Sequence, residues 1–459
     1  MNFNKYFSIV LASSFGMPIV KASEKPNVVF ILVDDLGCSD LNFMGYKKLN
    51  TPNVDNLVKQ GMFFTDAYAA APVSSPTRAS IITGKYPAEL KLTCHIPGVG
   101  MDKYIQKMNK AFPVGEAYFT NHLKPGISTL ATISKKAGYN NAFIGKWHLA
   151  GDGSIYTKDG CVNKEWNPEN YGFDINVGGC SYGQPASYFT PYKNYYIEEK
   201  SKGEYLTDRL GDEAVNYIKE NNPQKTGTPF FMYLSFYTVH TPYQVPKEVI
   251  EQNNGNKYYG LIQKMDENVG KVLETLKKYN LENNTIVIFY SDNGGVKDNP
   301  PYSELKGSLK EGGIRVPLIV RWPKVVKPNS RCEIPVTSTD FYPTFCDIMN
   351  IKQMKVESSG QSIYPILYGE SETWKDRAIF WHFPHNRNEI EYAMGSAIRE
   401  GNWKLLYSYS KKKHFLFNLK DDPKEMNDLS EEYPVKFCDL NKKLNNWIKE
   451  VNAEMPKYK

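Results

Sequence analysis

Two strongly apolar runs of the sequence, at residues 27–33 and 285–290, are each followed closely by oxygen-bearing side chains. These side chains belong to Asp34, Asp35, Asp292 and Asn293. Carboxylate and amide oxygens suit a hard cation such as Ca²⁺ or Mg²⁺ better than Zn²⁺. The first pair alone is more typical of a helix cap. Because a second pair stands in the same way after another apolar run, we predict a metal site.

The apolar runs also predict the elements that would bring these residues together. Runs at residues 27–33, 142–144, 230–236, 285–290 and 317–320 are continuous, as in strands covered on both faces. Helical patterns lie between them, most clearly at residues 258–279. This alternation predicts an α/β fold with a mainly parallel, doubly wound sheet flanked by helices. In such a sheet, ligands bind at the carboxyl ends of the strands.

Composition narrows the function classes. The chain has 459 residues, of which 41% are hydrophobic, so a large packed core is expected. Its 56 Lys and Arg against 50 Asp and Glu give a net charge of only +6, without dense basic blocks. Nucleic acid is therefore not expected as a partner. The 7 cysteines form no CxxC pair, which argues against a zinc or thioredoxin-type site.

The chain divides into three predicted segments. Residues 1–22 resemble a signal peptide, because Lys5 precedes a short apolar stretch and Val20-Lys21-Ala22 suits cleavage. No later stretch is long and apolar enough to span a membrane. We expect a catalytic domain at residues 23–375 and a smaller C-terminal α+β subdomain at residues 376–459. The subdomain prediction depends on strand-like runs at residues 378–381, 403–409 and 414–418 and on a helical pattern at residues 436–451.

One motif is more specific than these patterns. Residues 74–84 (SSPTRASIITG) could be an ordinary helix start, but they resemble the sulfatase signature, a Cys or Ser followed by x-Pro-Ser/Thr-Arg and a short helix. The resemblance extends over nearly the whole mature chain. It includes residues 27–37 (NVVFILVDDLG), 51–57 (TPNVDNL), 145–149 (GKWHL), 240–242 (HTP), 292–295 (DNGG), 306–317 (KGSLKEGGIRVP), 398–405 and 417–429. The chain is identified as resembling type I sulfatases of the alkaline phosphatase superfamily.

The resemblance implies that Ser74 is oxidised to formylglycine by a maturase, which for the serine form is typically an anaerobic radical enzyme. A native serine and an engineered replacement of Cys fit equally well. One hydroxyl of the hydrated aldehyde would attack sulfur, and the second would allow sulfate to be expelled. The family's cation is usually Ca²⁺, in preference to Mg²⁺, and its ligands here would be Asp34, Asp35, Asp292 and Asn293.

The remaining catalytic residues also follow from the resemblance. Arg78 would stabilise the modified side chain, and Lys146 would contact the sulfate. His148 would be the base for elimination; we expect it to face the same way as Lys146 on an extended segment. His240 would bond to sulfate or the leaving oxygen. Lys306, preferred to Lys310, would neutralise the sulfate.

The substrate expectation is a sulfated carbohydrate, with exo-acting removal of sulfate from glycosaminoglycan or mucin-type fragments in a bacterial periplasm. His385 and Arg387 are candidates for binding the sugar. Aromatic residues in residues 182–196 and 381–391 would either stack on sugars or pack internally. An arylsulfatase or choline-sulfatase-like enzyme remains an alternative, as does an inactive glycan-binding protein with unconverted Ser74. A phosphoesterase fits less well because it normally uses two transition-metal ions with His ligands.

Overall fold

The computed structural model describes residues 25–151, 164–351, 357–387 and 390–459. The predicted signal peptide at residues 1–22 lies outside these ranges. The strands are β1 (Asn27–Val33), β2 (Met62–Phe64), β3 (Ala67–Tyr68), β4 (Val114–Gly115), β5 (Asn140–Gly145), β6 (Ile175–Val177), β7 (Phe230–Ser235), β8 (Thr285–Ser291), β9 (Leu318–Arg321), β10 (Ser330–Cys332), β11 (Val336–Thr337), β12 (Ala378–Phe383), β13 (Gly395–Glu400), β14 (Trp403–Ser408), β15 (Lys413–Asn418) and β16 (Lys457–Tyr458).

The α-helices surround these strands. They are α1 (Pro52–Gln60), α2 (Ser74–Thr83), α3 (Pro87–Leu90), α4 (Met101–Ala111), α5 (Leu130–Lys136), α6 (Leu206–Glu220), α7 (Pro223–Thr226), α8 (Lys247–Gln252), α9 (Lys257–Lys278), α10 (Glu311–Ile314), α11 (Phe341–Ile348), α12 (Tyr364–Leu367) and α13 (Pro434–Glu450). The helix predicted at residues 258–279 is confirmed as α9, within one residue at each end.

The large sheet has eight strands in the order β10-β2-β9-β8-β1-β7-β5-β6. At its centre, β1 pairs in parallel with β7 and β8, and β5 pairs in parallel with β7 and β6. This confirms the predicted sheet. One of the predicted strands runs in the opposite direction to its neighbours: β9 is antiparallel to both β8 and β2. The chain between β8 and β9 stays at the carboxyl edge, where the Gly294 amide donates to the Gly313 carbonyl, so no crossover helix is needed.

Apolar residues on both faces of β1 explain its uninterrupted pattern. Val28, Phe30 and Leu32 belong to one core cluster, whereas Val29, Ile31 and Val33 belong to another. Helices α6 and α9 cover the second face with residues such as Leu210 and Val269. Because the strand is buried on both sides, its hydrophobic contacts hold its end in place and thereby position the polar residues that follow it.

The C-terminal part is a four-stranded antiparallel sheet, β12-β13-β14-β15. Helix α13 packs on this sheet through Leu440, Leu444 and Trp447. The three strands and the helix expected here are present, and β13 is an additional strand whose sequence, GSAIRE, lacks a clear apolar pattern. In the part of the chain that the structure describes, no helix is both long and apolar enough to cross a membrane.

Candidate active site

The acidic cluster lies at the carboxyl ends of two paired strands. Val33 at the end of β1 is in register with Ser291 at the end of β8, so the residues that follow them meet. Carboxylate oxygens of Asp34, Asp35 and Asp292 lie within 4.8 Å of one another, and all three residues are buried.

Backbone and amide hydrogen bonds fix the shape of this cluster. Asp35 has a φ of 65°, and its backbone amide donates to Asp292 Oδ1 at 3.2 Å. Asn293 Nδ2 donates to Asp35 Oδ1 at 2.9 Å. The side chains that the sequence places far apart therefore form one oxygen-rich group.

These donors fit a hard divalent cation. Burial, with added repulsion from Asp292 and Asp35, raises the pKa of Asp34 to about 8, although Lys146 opposes the shift. Three carboxylates and one amide oxygen in a dry site need positive charge, and all four ligand atoms are of the type that Ca²⁺ prefers. Asp34, Asp35, Asp292 and Asn293 would hold the ion.

Ser74 is the first residue of α2 and is buried beside the cluster. Its Oγ lies 3.1 Å from Asp34 Oδ1 and 3.3 Å from Asn293 Oδ1. Lys146 Nζ approaches the same Oγ at 3.4 Å. The free backbone N–H groups of a helix N-terminus favour negative charge at this position. The side chain at residue 74 thus lies between two candidate metal ligands and the ammonium group of Lys146.

Arg78 links the helix to the cluster. One turn after Ser74, its Nε and Nη2 contact Asp292 Oδ2 at 2.9 and 2.8 Å. Its Nη1 donates to the Lys146 carbonyl at 2.8 Å and to Ser235 Oγ at 2.7 Å. Burial alone would raise the pKa of Asp292, but the Arg78 guanidinium lowers it below the usual value. Arg78 therefore orients a candidate ligand and the chain that carries Lys146.

Three further cationic or titratable side chains lie around the carboxylates. Lys146 Nζ is 2.6 Å from Asp34 Oδ2 and Lys306 Nζ is 2.5 Å from Asp35 Oδ1. His240 Nε2 lies 3.8 Å from Asp35 Oδ2, and burial lowers the pKa of His240 to about 4. By contrast, Lys310 Nζ donates to the Glu425 carbonyl and lies over the Tyr392 ring, so it is engaged with the C-terminal part.

The surroundings of His148 favour the neutral imidazole. Its Nε2 lies 2.9 Å from the Ile96 carbonyl, which can only accept, so Nε2 carries the proton. Nδ1 is buried and has no hydrogen-bond partner among the residues that the structure describes, and burial together with Lys146 keeps the His148 pKa well below its usual value. Nδ1 is therefore a free proton acceptor.

The extended geometry expected from Lys146 to His148 is wrong, because β5 ends at Gly145 and His148 has a φ of 58°. The direction of the His148 side chain is therefore set by this left-handed backbone conformation and not by the alternation of side chains along a strand. Gly183 passes directly over its ring, where a Cβ would lie 2.5 Å from His148 Nε2. Backbone from another loop thus holds the imidazole in place.

The two candidate sugar-binding residues occupy different environments. His385 is fully buried, with Nδ1 at 2.8 Å from Glu116 Oε2 and Nε2 at 2.8 Å from Thr93 Oγ1. Arg387 is half-buried, and a Cβ on Gly307 would lie 3.1 Å from its Nε. Arg387 therefore adjoins Lys306, whereas His385 lies beneath the surface and supports the loop.

Sequence reasoning missed His95, Lys107 and Glu116, which surround this loop. Glu116 Oε1 accepts from both the backbone amide and the side chain of Asn386 at 2.9 Å. None of the three belongs to a recognisable motif, and each is at least 269 residues from the loop in sequence. Only the folded chain brings them together.

Comparisons with known proteins agree with this geometry. The sulfatase family profile matches residues 26–351, and the profile described as N-sulphoglucosamine sulphohydrolase, C-terminal, matches residues 306–454. A protein of Formosa agariphila named Sulfatase is 32% identical, with 98% of this chain and 94% of that protein covered. N-acetylgalactosamine-6-sulfatase of Mus musculus is 28% identical, with 69% of this chain and 61% of that protein covered.

A solved structure of similar architecture is Ps i-CgsB in complex with k-i-k-neocarrahexaose. It matches with a TM-score of 0.77 at 30% identity, over 92% of this chain and 93% of that chain. The sheet, the oxygen-rich cluster and the hydroxyl at a helix N-terminus define an ester hydrolase of the alkaline-phosphatase-like fold. Within that class, the chain belongs to the sulfatase family and is a sulfuric ester hydrolase.

Proposed function

We propose that this enzyme hydrolyses sulfate esters of carbohydrates through a formylglycine formed from Ser74 and a bound Ca²⁺. The observation that carries the proposal is the position of Ser74 Oγ, buried between Asp34, Asn293 and Lys146 at the start of α2. A hydrated formylglycine supplies a nucleophilic hydroxyl and a second hydroxyl for release of sulfate, and Ca²⁺ supplies charge that stabilises both. A maturase that accepts a serine motif is the partner this requires.

The chain's own residues would bind and orient the sulfate group. Lys146 and Lys306 offer ammonium groups on opposite sides of the cluster, at Asp34 and Asp35 respectively. Both can donate to sulfate oxygens and offset the negative charge. His240 lies beside Asp35 and would form a hydrogen bond with the sulfate or the leaving oxygen. Because His148 Nδ1 is an unoccupied acceptor, it would remove the proton from the second hydroxyl.

Carbohydrate as the substrate class is supported by the similarity to a structure solved with k-i-k-neocarrahexaose. The aromatic side chains predicted as stacking platforms are mostly internal, since Tyr182, Tyr188 and Tyr192 are buried. Tyr195 is exposed and remains available to a sugar face. We propose exo-acting removal of sulfate from glycosaminoglycan or mucin-type fragments by a protein exported to a bacterial periplasm.

The test is sulfate release from a panel of singly sulfated mono- and disaccharides. The protein would be co-produced with a serine-type maturase, and peptide mass would confirm oxidation of Ser74. Release by the parent and none by Ser74→Ala supports the proposal and identifies the ester position. Confirmed formylglycine without release from any saccharide would overturn it, and aryl and choline sulfates in the same panel would then reveal the alternative substrate class.

A further inference from the structure

A pocket lies beside the candidate active site, on the side of Lys306. Its volume is about 300 Å³, and its polar lining comes from His95, Tyr104, Lys107, Asn386 and Arg387. No carboxylate is among the described residues that line it. Lys107 is exposed and Arg387 is half-buried, and neither forms an ion pair with another described residue. Two cations that have no ion-pair partner among the described residues therefore face the same small space.

The pocket is joined to the site through the backbone after His95. The Ile96 carbonyl accepts from His148 Nε2 at 2.9 Å, and the Ile96 amide donates to Ser75 Oγ at 3.1 Å. On the other side, Gly307 separates Lys306 from Arg387. The pocket therefore borders the chain segments that contact His148 and that carry Lys306.

Hydrogen bonds and a ring contact hold the residues beneath and around the pocket. Glu116 is buried and accepts hydrogen bonds from His385 and Asn386, which lie in the loop beneath the pocket. It does not form an ion pair with Arg387. His95 packs edge-on against Tyr104 with ring centroids 5.2 Å apart. Burial, followed by the charges of Arg387 and Lys306, holds the pKa of His95 well below its usual value. The surroundings of His95 are therefore electropositive even before substrate arrives.

We propose that this pocket binds a second oxyanion on the substrate, so that the enzyme selects saccharides carrying an additional sulfate or carboxylate beside the ester that is cleaved. A guanidinium fork with an adjacent ammonium group matches the oxygens of either group. The inference rests on the proposed carbohydrate sulfatase function and identifies His95, Lys107 and Arg387 as specificity-determining residues.

The experiment compares three disaccharides that share the ester released in the panel. At the neighbouring position they carry a second sulfate, a uronate carboxylate or a neutral hydroxyl. The parent should cleave one of the two anionic compounds with a kcat/KM at least about tenfold above the neutral one, corresponding to roughly 1.4 kcal/mol. Arg387→Ala and Lys107→Ala should each reduce this ratio severalfold. Lys225→Ala, which removes one charge from α7 at the opposite edge of the sheet, should leave the ratio unchanged.

Calorimetric binding to Ser74→Ala protein gives the same comparison without turnover. A higher affinity for an anionic disaccharide that disappears in the Arg387→Ala background supports the pocket even if the panel finds no turnover. Sulfate release with equal kcat/KM for all three compounds would overturn the pocket and leave the proposed function standing. If Arg387→Ala does not fold, Lys107→Ala still tests the proposal. Lys107 is exposed, so its replacement should not disturb folding. The compound for which Arg387→Ala lowers the affinity or kcat/KM more, sulfated or uronate, identifies the group that is bound.

Discussion

The guanidinium of Arg78 forms a two-nitrogen contact with Asp292, at 2.9 Å from Nε and 2.8 Å from Nη2. Both side chains are almost fully buried, and 214 residues separate them in sequence. The pair joins the helix that begins at Ser74 to the strand end that carries a candidate metal ligand. The proposed nucleophile and the proposed cation site are therefore held in a single geometry.

Arg78→Lys should lower kcat/KM by at least about a hundredfold, because a single ammonium group cannot replace the fork and the bond to the Lys146 carbonyl. The ammonium keeps a charge near Asp292 but leaves the Lys146 carbonyl without its hydrogen bond, so the free energy of unfolding should also fall by about 1–3 kcal/mol. Denaturant unfolding and sulfate release measure the two effects. The exposed Arg331→Lys is the matched control, and equal behaviour of the two variants would contradict the role assigned to Arg78.

Removal of divalent cations should inactivate and destabilise the enzyme. If the acidic cluster binds Ca²⁺, chelation removes the one cation that the buried Asp34, Asp35 and Asp292 would hold in common. Restoring Ca²⁺ at a hundredfold excess over its Kd should recover about 2.7 kcal/mol of stability. Calorimetric titration of chelated protein measures the affinity, which should be higher for Ca²⁺ than for Mg²⁺. Asp292→Asn should weaken binding, whereas the exposed Asp212→Asn should not; normal binding by Asp292→Asn would exclude this site.

Acid sensitivity should come partly from His382, away from the catalytic cluster. Burial lowers the pKa of His382 to about 4, from about 6.5 in an unfolded chain. Between these pH values the unfolded state binds more protons, so stability present above pH 6.5 is lost as pH falls, by about 3 kcal/mol in total. His382→Gln can keep the bonds to Ser396 and the Glu454 carbonyl without titrating.

Denaturant unfolding at several pH values should therefore show a flatter acid limb for His382→Gln than for the parent. His414→Gln is the comparison variant. Because His414 is only half-buried, its replacement should flatten the acid limb less. Parallel curves for His382→Gln and the parent would contradict the assigned contribution of His382.

The two parts of the chain should unfold together because of a buried charge group between them. Lys404 on β14 lies 2.9 Å from Glu311 of α10 and 2.8 Å from Glu425. Burial alone would raise the pKa of Glu311, but Lys404 lowers it to about 2. Lys404→Met would leave two buried carboxylates without this cation and should cost about 3–5 kcal/mol.

Lys413→Met is the control on the neighbouring strand, since its side chain is 59% exposed and forms one surface ion pair. It should change the free energy of unfolding by less than about 1 kcal/mol. If Lys404→Met were equally mild, the buried group would not be what joins the C-terminal sheet to the catalytic part.

Much of this enzyme was predictable from local patterns. The continuous apolar runs of β1, β7 and β8 indicated buried parallel strands, because burial on both faces removes the alternation of a half-exposed strand. The strand β13 was missed since its short sequence carries little periodicity. The direction of β9 was also not predictable, because it depends on where the preceding chain runs and not on the residues of the strand.

The sequence by itself determined which side chains could do chemistry: a serine motif, two oxygen-rich strand ends and a set of cations after other apolar runs. Only the tertiary structure decided how they meet. It pairs Arg78 with Asp292, places His148 through a turn at positive φ and buries His385 beneath a pocket formed with His95 and Lys107. The physical reason is that hydrophobic periodicity is local, whereas charge pairing and pocket shape arise between segments hundreds of residues apart.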